Sequence, residues 1–372
     1  MSYTTLDKVK NKFNSLNLDI LCIRNTQNLN WITQFKNVFD FEQAHVLILT
    51  NDECILHTDS RYSNAFRECK QKSNLDITIN GDSKNVVEFY IDYINKIAKT
   101  TKHIIKVGIE DIIPLSEFRE VETKVRSNVE LVETHDLIAN LRICKTTDEI
   151  KFLRKAQEIA DSAFLDMFDY IKPGMSEAHL SDKLSEFIKN HGGEGVSFES
   201  IVAGGANAAN SHAQPGEYKV KIGECVLFDY GCKYSEYRSD TTRCIFLGEP
   251  SKTLRSAFIA VRDANEACEN MIKAGLSGKL INDKANEVLA KRGYEGKMGH
   301  SIGHGLGVEI HELPFMGKDN HILEEGCVVT VEPGVYFPGE FGIRLEDSGV
   351  VTKNGYEVFT KLSHDMYVKK FS

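Results

Sequence analysis

The sequence predicts an α+β protein in two unequal parts: a smaller α/β domain over residues 1–135, then a larger unit over 140–372 that is itself an approximate doubling. Three observations carry this. The first 130 or so residues alternate short apolar runs with helical patterns; the texture changes near Ile143; and residues 171–192 can be laid over 272–293 without a gap. At about 150 residues per domain, length alone also leans towards two.

Taken in order, Ile20-Leu21-Cys22-Ile23, His45-Val46-Leu47-Ile48-Leu49 and Cys54-Ile55-Leu56-His57 read as strands. Val86 to Ala98 has helical spacing, and Ile104 to Ile109 reads as a further strand. Strands and helices alternating at this interval predict a small α/β domain. Thr146 and Glu149 then stand three apart, the spacing of a helix capping box. Ile150, Leu153, Ala160, Phe164, Met167 and Ile171 follow as one face of a long helix, which places the boundary around residues 135–145.

The repeat begins where that helix ends. At an offset of 101, Ile171, Lys172, Gly174, Ser176, Asp182, Lys183, Glu186 and Gly192 face Ile272, Lys273, Gly275, Ser277, Asp283, Lys284, Glu287 and Gly293. Each copy predicts a helix ending at Gly-x-Ser and a second helix running to a glycine stop. With small gaps the match continues: His212-Ala213-Gln214-Pro215 faces His311-Glu312-Leu313-Pro314, Cys225 to Asp229 faces Cys327 to Glu332, and Arg238-Ser239-Asp240 faces Arg344-Leu345-Glu346. Each half therefore offers a histidine, an acid ending an apolar strand, and an acid two residues after an arginine. Two copies packed about a pseudo-twofold axis bring both sets of acids to a shared centre.

Composition sets the setting. Hydrophobic residues make up 41% and charged residues 27%, the balance of an ordinary globular protein. The net charge of −9 argues against nucleic-acid and anionic-membrane partners, which need a basic face. No run of 18 apolar residues suggests a membrane span, and the segment from Met1 to Asp7 lacks the pattern of a signal peptide. Nine scattered cysteines without a Cys-x-x-Cys pair read as reduced, mostly buried thiols, and a cytoplasmic location is expected.

Any one of Asp229, Asp240, Glu332 and Glu346 reads alone as a salt-bridged or exposed acid. Four converging carboxylates repel one another strongly, and two divalent cations would cancel their charge. Carboxylate ligands favour Mn²⁺ over thiophilic metals, with Co²⁺ or Zn²⁺ as alternatives. Such a pair makes a nucleophile at neutral pH and holds a substrate oxygen. Of twelve histidines, His300, His304, His311 and His321 cluster in one stretch. The segment Gly299 to Gly307 is too glycine-rich for a helix, so His300 and His304 are not a helical zinc pair; the glycines instead let the backbone approach a site closely.

These residues resemble the pita-bread metallopeptidases, in the creatinase/prolidase family and its Xaa-Pro dipeptidase and aminopeptidase P branch. The motifs are Asp229-Tyr230-Gly231, Ser239-Asp240-Thr241-Thr242-Arg243, Gly303-His304-Gly305-Leu306-Gly307 through His311-Glu312-Leu313-Pro314, Val331-Glu332-Pro333-Gly334 and Ile343-Arg344-Leu345-Glu346-Asp347. Asp59-Ser60-Arg61-Tyr62 and Asn30-Trp31-Ile32-Thr33-Gln34-Phe35 resemble the family's N-terminal domain, with Trp31 and Gln34 standing where Tyr and Gly are usual. The resemblance implies a C-terminal pita-bread fold after a creatinase-type N-terminal domain. It implies that Asp229, Asp240, His304, Glu332 and Glu346 bind two metals, and that His212, His300, His311 and Arg344 line the substrate site. It further implies hydrolysis of Xaa-Pro bonds in peptides with proline at the second position: a metal-bridging hydroxide attacks, Glu332 moves the proton, and His212 and His311 steady the tetrahedral intermediate. A homodimer is implied as well. Creatinase, a C–N hydrolase on this fold, does not keep the metal ligands, and a non-catalytic binding scaffold usually loses them; all five positions here are acid or His. Dipeptidase and aminopeptidase readings both stay open, and Asp59 with Arg61 is read as structural.

Overall fold

The apolar runs of the first part become the strands of one mixed sheet. Strands β1 (Ile20–Ile23), β2 (His45–Leu49), β3 (Cys54–Thr58), β4 (Thr78–Asn80), β5 (Ile105–Ile109) and β6 (Val129–Glu133) lie in the order β4-β3-β2-β1-β5-β6. The computed structural model describes residues 4–40, 42–317 and 320–371. The chain divides into two compact units between Leu141 and Arg142. In the first, β1 pairs antiparallel with β2 and parallel with β5, and every residue of β1 and β2 is buried, so these strands are mostly apolar on both faces. Helices α1 (Thr5–Asn14), α2 (Thr26–Thr33), α3 (Ser63–Lys72), α4 (Val86–Thr100), α5 (Leu115–Lys124) and α6 (Leu137–Arg142) fill the connections. Tyr90, Ile91, Ile94 and Ala98 of α4 join Ile20, Val46 and Val107 in the core.

Two details differ from the sequence reading. Ile104 is 61% exposed and precedes β5, and the edge strands β4 and β6 carry too few buried apolar residues to be recognised. Gln34 ends α2 at φ 55°, the left-handed position where glycine is the usual residue. Asp59 and Arg61 pair with each other at 2.7 Å, and Arg61 with Glu42 at 2.6 Å, in solvent.

The second unit opens with α7 (Thr147–Tyr170), whose capping box is complete in both directions between Thr146 and Glu149. It continues through α8 (Glu177–Asn190), β7 (Gly195–Val196), β8 (Ile201–Gly204), β9 (Cys225–Tyr230), β10 (Cys232–Tyr234), β11 (Tyr237–Arg238) and β12 (Thr241–Leu247). The second half runs α9 (Lys252–Glu269), α10 (Gly278–Lys291), β13 (Val328–Val331), β14 (Gly334–Phe337), β15 (Phe341–Arg344), β16 (Asp347–Val351), β17 (Tyr356–Val358) and β18 (Tyr367–Lys369).

The doubling is visible in the backbone. Gly174 and Gly275 end the first helix region of each copy at φ +88° and +90°, and Gly192 and Gly293 stop the second helices at +92° and +87°. Ser176 and Ser277 cap α8 and α10. Each half then forms an antiparallel pair, β9 with β12 and β13 with β16. Helices α7 and α8 pack on one side of these strands and α9 and α10 on another, each with its own buried cluster. This is the α+β pita-bread arrangement.

Candidate metal centre and active site

Thr242 is where the two halves meet. It stands opposite Asp229 in the β9–β12 ladder and opposite Glu346 in an isolated antiparallel bridge. Residues directly opposite share a face, and so do residues two apart on a strand. Asp229, Thr242, Glu346, Asp240 and Arg344 therefore project to one side. Their chain neighbours point away: Arg243 and Asp347 form a buried pair at 2.6 Å on the other side, where His364 Nε2 lies 2.7 Å from Asp347. One alternation of the backbone thus separates a reactive face from a structural one.

Glu332 follows the last residue of β13, and His304 is held beside it. The His304 N–H donates to Thr330 Oγ1 at 3.1 Å, and the Thr330 N–H donates to the His304 carbonyl at 2.9 Å. The chain fits there only because Gly303 and Gly305 lack side chains: a Cβ would lie 2.1 Å from the Thr330 oxygen or 2.2 Å from the Leu313 oxygen.

The donor set fits divalent cations on geometry. His304 Nδ1 lies 3.0 Å from the Gly305 carbonyl oxygen, an acceptor only, so the ring proton sits on Nδ1. Burial lowers His304 to about 4, so the ring is neutral and Nε2 presents a lone pair. That lone pair is 3.6 Å from Asp240 Oδ2 and 3.6 Å from Glu332 Oε1. Ligand atoms of Asp240, His304 and Glu346 all fall within 4.8 Å of one another. Asp229 Oδ1 is buried and has no hydrogen-bond partner among the described residues. Acceptors facing acceptors in a buried site repel, and a divalent cation among them reverses the sign.

The acids respond accordingly. Burial pushes Asp240 and Glu346 well above the carboxylate range, and the neighbouring carboxylates add to the shift. Burial also raises Asp229, partly offset by Arg344, and raises Glu332 to about 8. Without cations the protons neutralise this cluster; with cations bound, the charged forms are favoured.

Arg344 ties the face together. Its Nη2 donates to Asp229 Oδ2, its Nε donates to Thr242 Oγ1 at 3.0 Å, and the Thr242 hydroxyl donates to Glu346 Oε2 at 2.6 Å. Its Nη1 donates to the Tyr336 oxygen at 2.8 Å, and the Tyr336 hydroxyl reaches His300 Nε2 at 2.9 Å. His300 Nδ1 faces the Ser301 carbonyl at 2.8 Å, so Nε2 is the acceptor.

All nine residues singled out from the sequence line one cavity of about 410 Å³: Asp229, Asp240, His304, Glu332 and Glu346 at its floor, with His212, His300, His311 and Arg344 around it. His311 packs edge-on against His304 with ring centroids 4.4 Å apart, and burial holds its ring below the ordinary histidine value. His212 stands exposed at the rim. Phe198, Ile201, Pro215, Ile310 and Phe315 supply apolar wall. His321 lies outside, with its carbonyl accepting from the Gly278 N–H at 2.9 Å.

Three contributors were not read from the sequence. Thr242 and Tyr336 join the network only through strand register, although Thr242 lies in a motif already noted. Glu177 is fully buried at the start of α8; its oxygens accept from the Gly204 N–H at 2.8 Å, the Gly216 N–H at 3.2 Å and Asn207 Nδ2 at 3.0 and 3.1 Å. It spans the base of the segment carrying His212. No spacing signal marks such a residue, although an acid in the first helical turn is the usual place for one.

The fold and its acid–histidine centre define a metal-dependent hydrolase of the pita-bread class. Residues 151–353 match the model of metallopeptidase family M24, and residues 6–144 match the creatinase/prolidase N-terminal domain. A peptidase of Bacillus subtilis, YqhT, is 32% identical over 98% of this chain and 99% of its own. Among solved structures, an Xaa-Pro dipeptidase from Bacillus anthracis superposes with a TM-score of 0.88 at 32% identity, covering 98% of this chain and 99% of that one. An X-Pro aminopeptidase from Thermotoga maritima gives 0.86 at 28% identity, with coverage of 98% and 99%. The chain belongs to metallopeptidase family M24, and it is an enzyme that works with divalent metal ions.

Proposed function

We propose that this enzyme hydrolyses Xaa-Pro bonds at the N-terminus of peptides, as an Xaa-Pro aminopeptidase or dipeptidase. The observation that carries the reading is the neutral His304 Nε2 aimed at two carboxylates in a cavity with an apolar wall. Asp229, Asp240, His304, Glu332 and Glu346 would hold two divalent ions, with Mn²⁺ favoured by the oxygen-rich set and Co²⁺ or Zn²⁺ able to substitute. Ions held there would supply a water of lowered pKa and a Lewis acid for a carbonyl oxygen. Glu332, a carboxylate at the edge of that donor set, takes and returns the proton. His212 and His311 donate to the oxygen on which negative charge develops. The Xaa-Pro bond has no N–H, so a site gripping the substrate through apolar wall and ring donors suits it. Arg344 stays committed to Asp229 and Thr242, orienting the acids.

Residues 1–135 act as the N-terminal domain and 140–372 as the catalytic domain of a cytoplasmic homodimer. Among the described residues no helix is long and apolar enough to cross a membrane. The test compares an Xaa-Pro dipeptide, an Xaa-Pro-Yaa tripeptide and their alanine analogues on Mn²⁺-loaded protein. Cleavage before proline with the alanine analogues left intact supports the reading, and the longer substrate decides between the two peptidase types. Cleavage regardless of proline, or of neither prolyl peptide, overturns it.

A further inference from the structure

Away from the cavity, Cys144 and Cys327 lie side by side. They are paired across an isolated antiparallel bridge, and the Lys145 N–H donates to the Gly326 carbonyl at 2.9 Å. That bond belongs to the residues flanking the pair, so the cysteines occupy a non-hydrogen-bonded position of the ladder. Such positions bring Cα atoms to about 4.5 Å with the side chains facing closely. A disulfide spans Cα separations of about 4.4–6.8 Å. The two Sγ atoms are 3.9 Å apart.

The two thiols differ in access. Cys144 is partly exposed and Cys327 is fully buried. Cys327 receives the Glu324 N–H at 3.2 Å, and the Cys144 thiol, that N–H and the Lys145 charge favour its thiolate. A reachable sulfur thus sits beside one disposed to attack it. Cys225 and Cys244, on β9 and β12, are both fully buried in the apolar core and offer no such access.

We propose that Cys144 and Cys327 form a modification site, a dithiol that a hydroperoxide converts reversibly to a disulfide. Cys144, held as the thiol by its contact with Cys327 but open to solvent, first gives its proton to water; the thiolate attacks the O–O bond, giving a sulfenic acid, and the distal oxygen leaves and takes up a proton. Cys327 then attacks the Cys144 sulfur, the S–S bond forms, the S–O bond breaks, and hydroxide leaves with the second proton as water. The two thiols lose two electrons and the hydroperoxide gains them.

The bond would act on the frame around the site. Cys144 lies between Arg142 and Lys145, whose side chains hold Glu312 at 2.5 and 3.1 Å beside His311. Cys327 leads into β13 and so to Glu332. Cross-linking them closes a long loop and restrains the unfolded chain without touching the cavity.

The full-length protein is treated with hydrogen peroxide, alkylated, and mapped without reduction. The expected map contains a Cys144–Cys327 cross-linked peptide that dithiothreitol removes. The oxidised protein should melt at least about 5 °C higher, with turnover within about twofold of the reduced form. Cys144→Ser, at a partly exposed position, keeps the fold and should lose both the peptide and the thermal shift. A map with Cys144 free or carried on to sulfinic acid, a disulfide at Cys225–Cys244 instead, or an equal shift in Cys144→Ser overturns the proposal.

Discussion

The two halves of the catalytic unit present matching histidines but hold them differently. In the first half, the segment bearing His212 is anchored by Glu177, a buried carboxylate that accepts from two backbone N–H groups and a side-chain amide. In the second, Glu312 follows His311 directly and is clamped by Arg142 and Lys145, while the Glu309 N–H donates to it at 2.9 Å. A centre shared by two copies of one unit constrains the acids and histidines that face it. It does not constrain how each copy supports its loop, so one support is built from neutral donors and the other from cations.

The comparison breaks first at the metal floor. Asp240→Ala removes a ligand supplied by the first half and Glu346→Ala one supplied by the second. Each should lose bound metal and reduce turnover by roughly 1000-fold or more. Metal analysis beside kcat checks this, and a variant that keeps both refutes the ligand assignment. Next come the rim histidines: His212→Ala and His311→Ala should retain metal and lose on the order of 100-fold in kcat. Wild-type turnover in either removes that residue from the mechanism.

The supports sharpen the comparison through stability. Glu312→Ala removes the buried carboxylate shared by Lys145 and Arg142, leaving Arg142 its contact with Glu309, and should cost about 3–5 kcal/mol. Glu177→Ala leaves only neutral donors unsatisfied and should cost about 1–3 kcal/mol, with a lower kcat through a displaced His212. Denaturant midpoints rank the two, and the reverse ranking would contradict the account of the clamps.

The smallest effect is a pH dependence. Burial alone would raise Glu312, but Lys145 and Arg142 outweigh it and bring the acid from 4.5 down to about 2. A depressed carboxylate stabilises the fold above its unfolded value, and that contribution disappears as pH falls through the folded one. The stability gap between wild type and Glu312→Gln should therefore be full above pH 4.5 and shrink towards pH 2. A gap independent of pH over that window would assign the stabilisation to packing instead.

Much of this was legible because pattern and burial coincide. The central strands β1, β2, β3 and β5 are apolar runs since both faces are covered, and β4 and β6 escaped notice because edge strands need no such run. The repeat was readable from its glycines, whose left-handed backbone leaves little choice of residue at Gly174 and Gly275. The acids and histidines stood out by recurring in the same order. Thr242, Tyr336 and Glu177 were not readable, since their roles depend on which strand lies opposite and which loop passes overhead.

The claim that both halves build one divalent-metal centre is tested most directly by removing the metal. Protein stripped by a chelator, with removal verified, is titrated with Mn²⁺ while bound metal and Xaa-Pro turnover are followed together. Activity should vanish on stripping and return as the second ion per chain binds. Full turnover in verified metal-free protein, or saturation at a single ion, would contradict it.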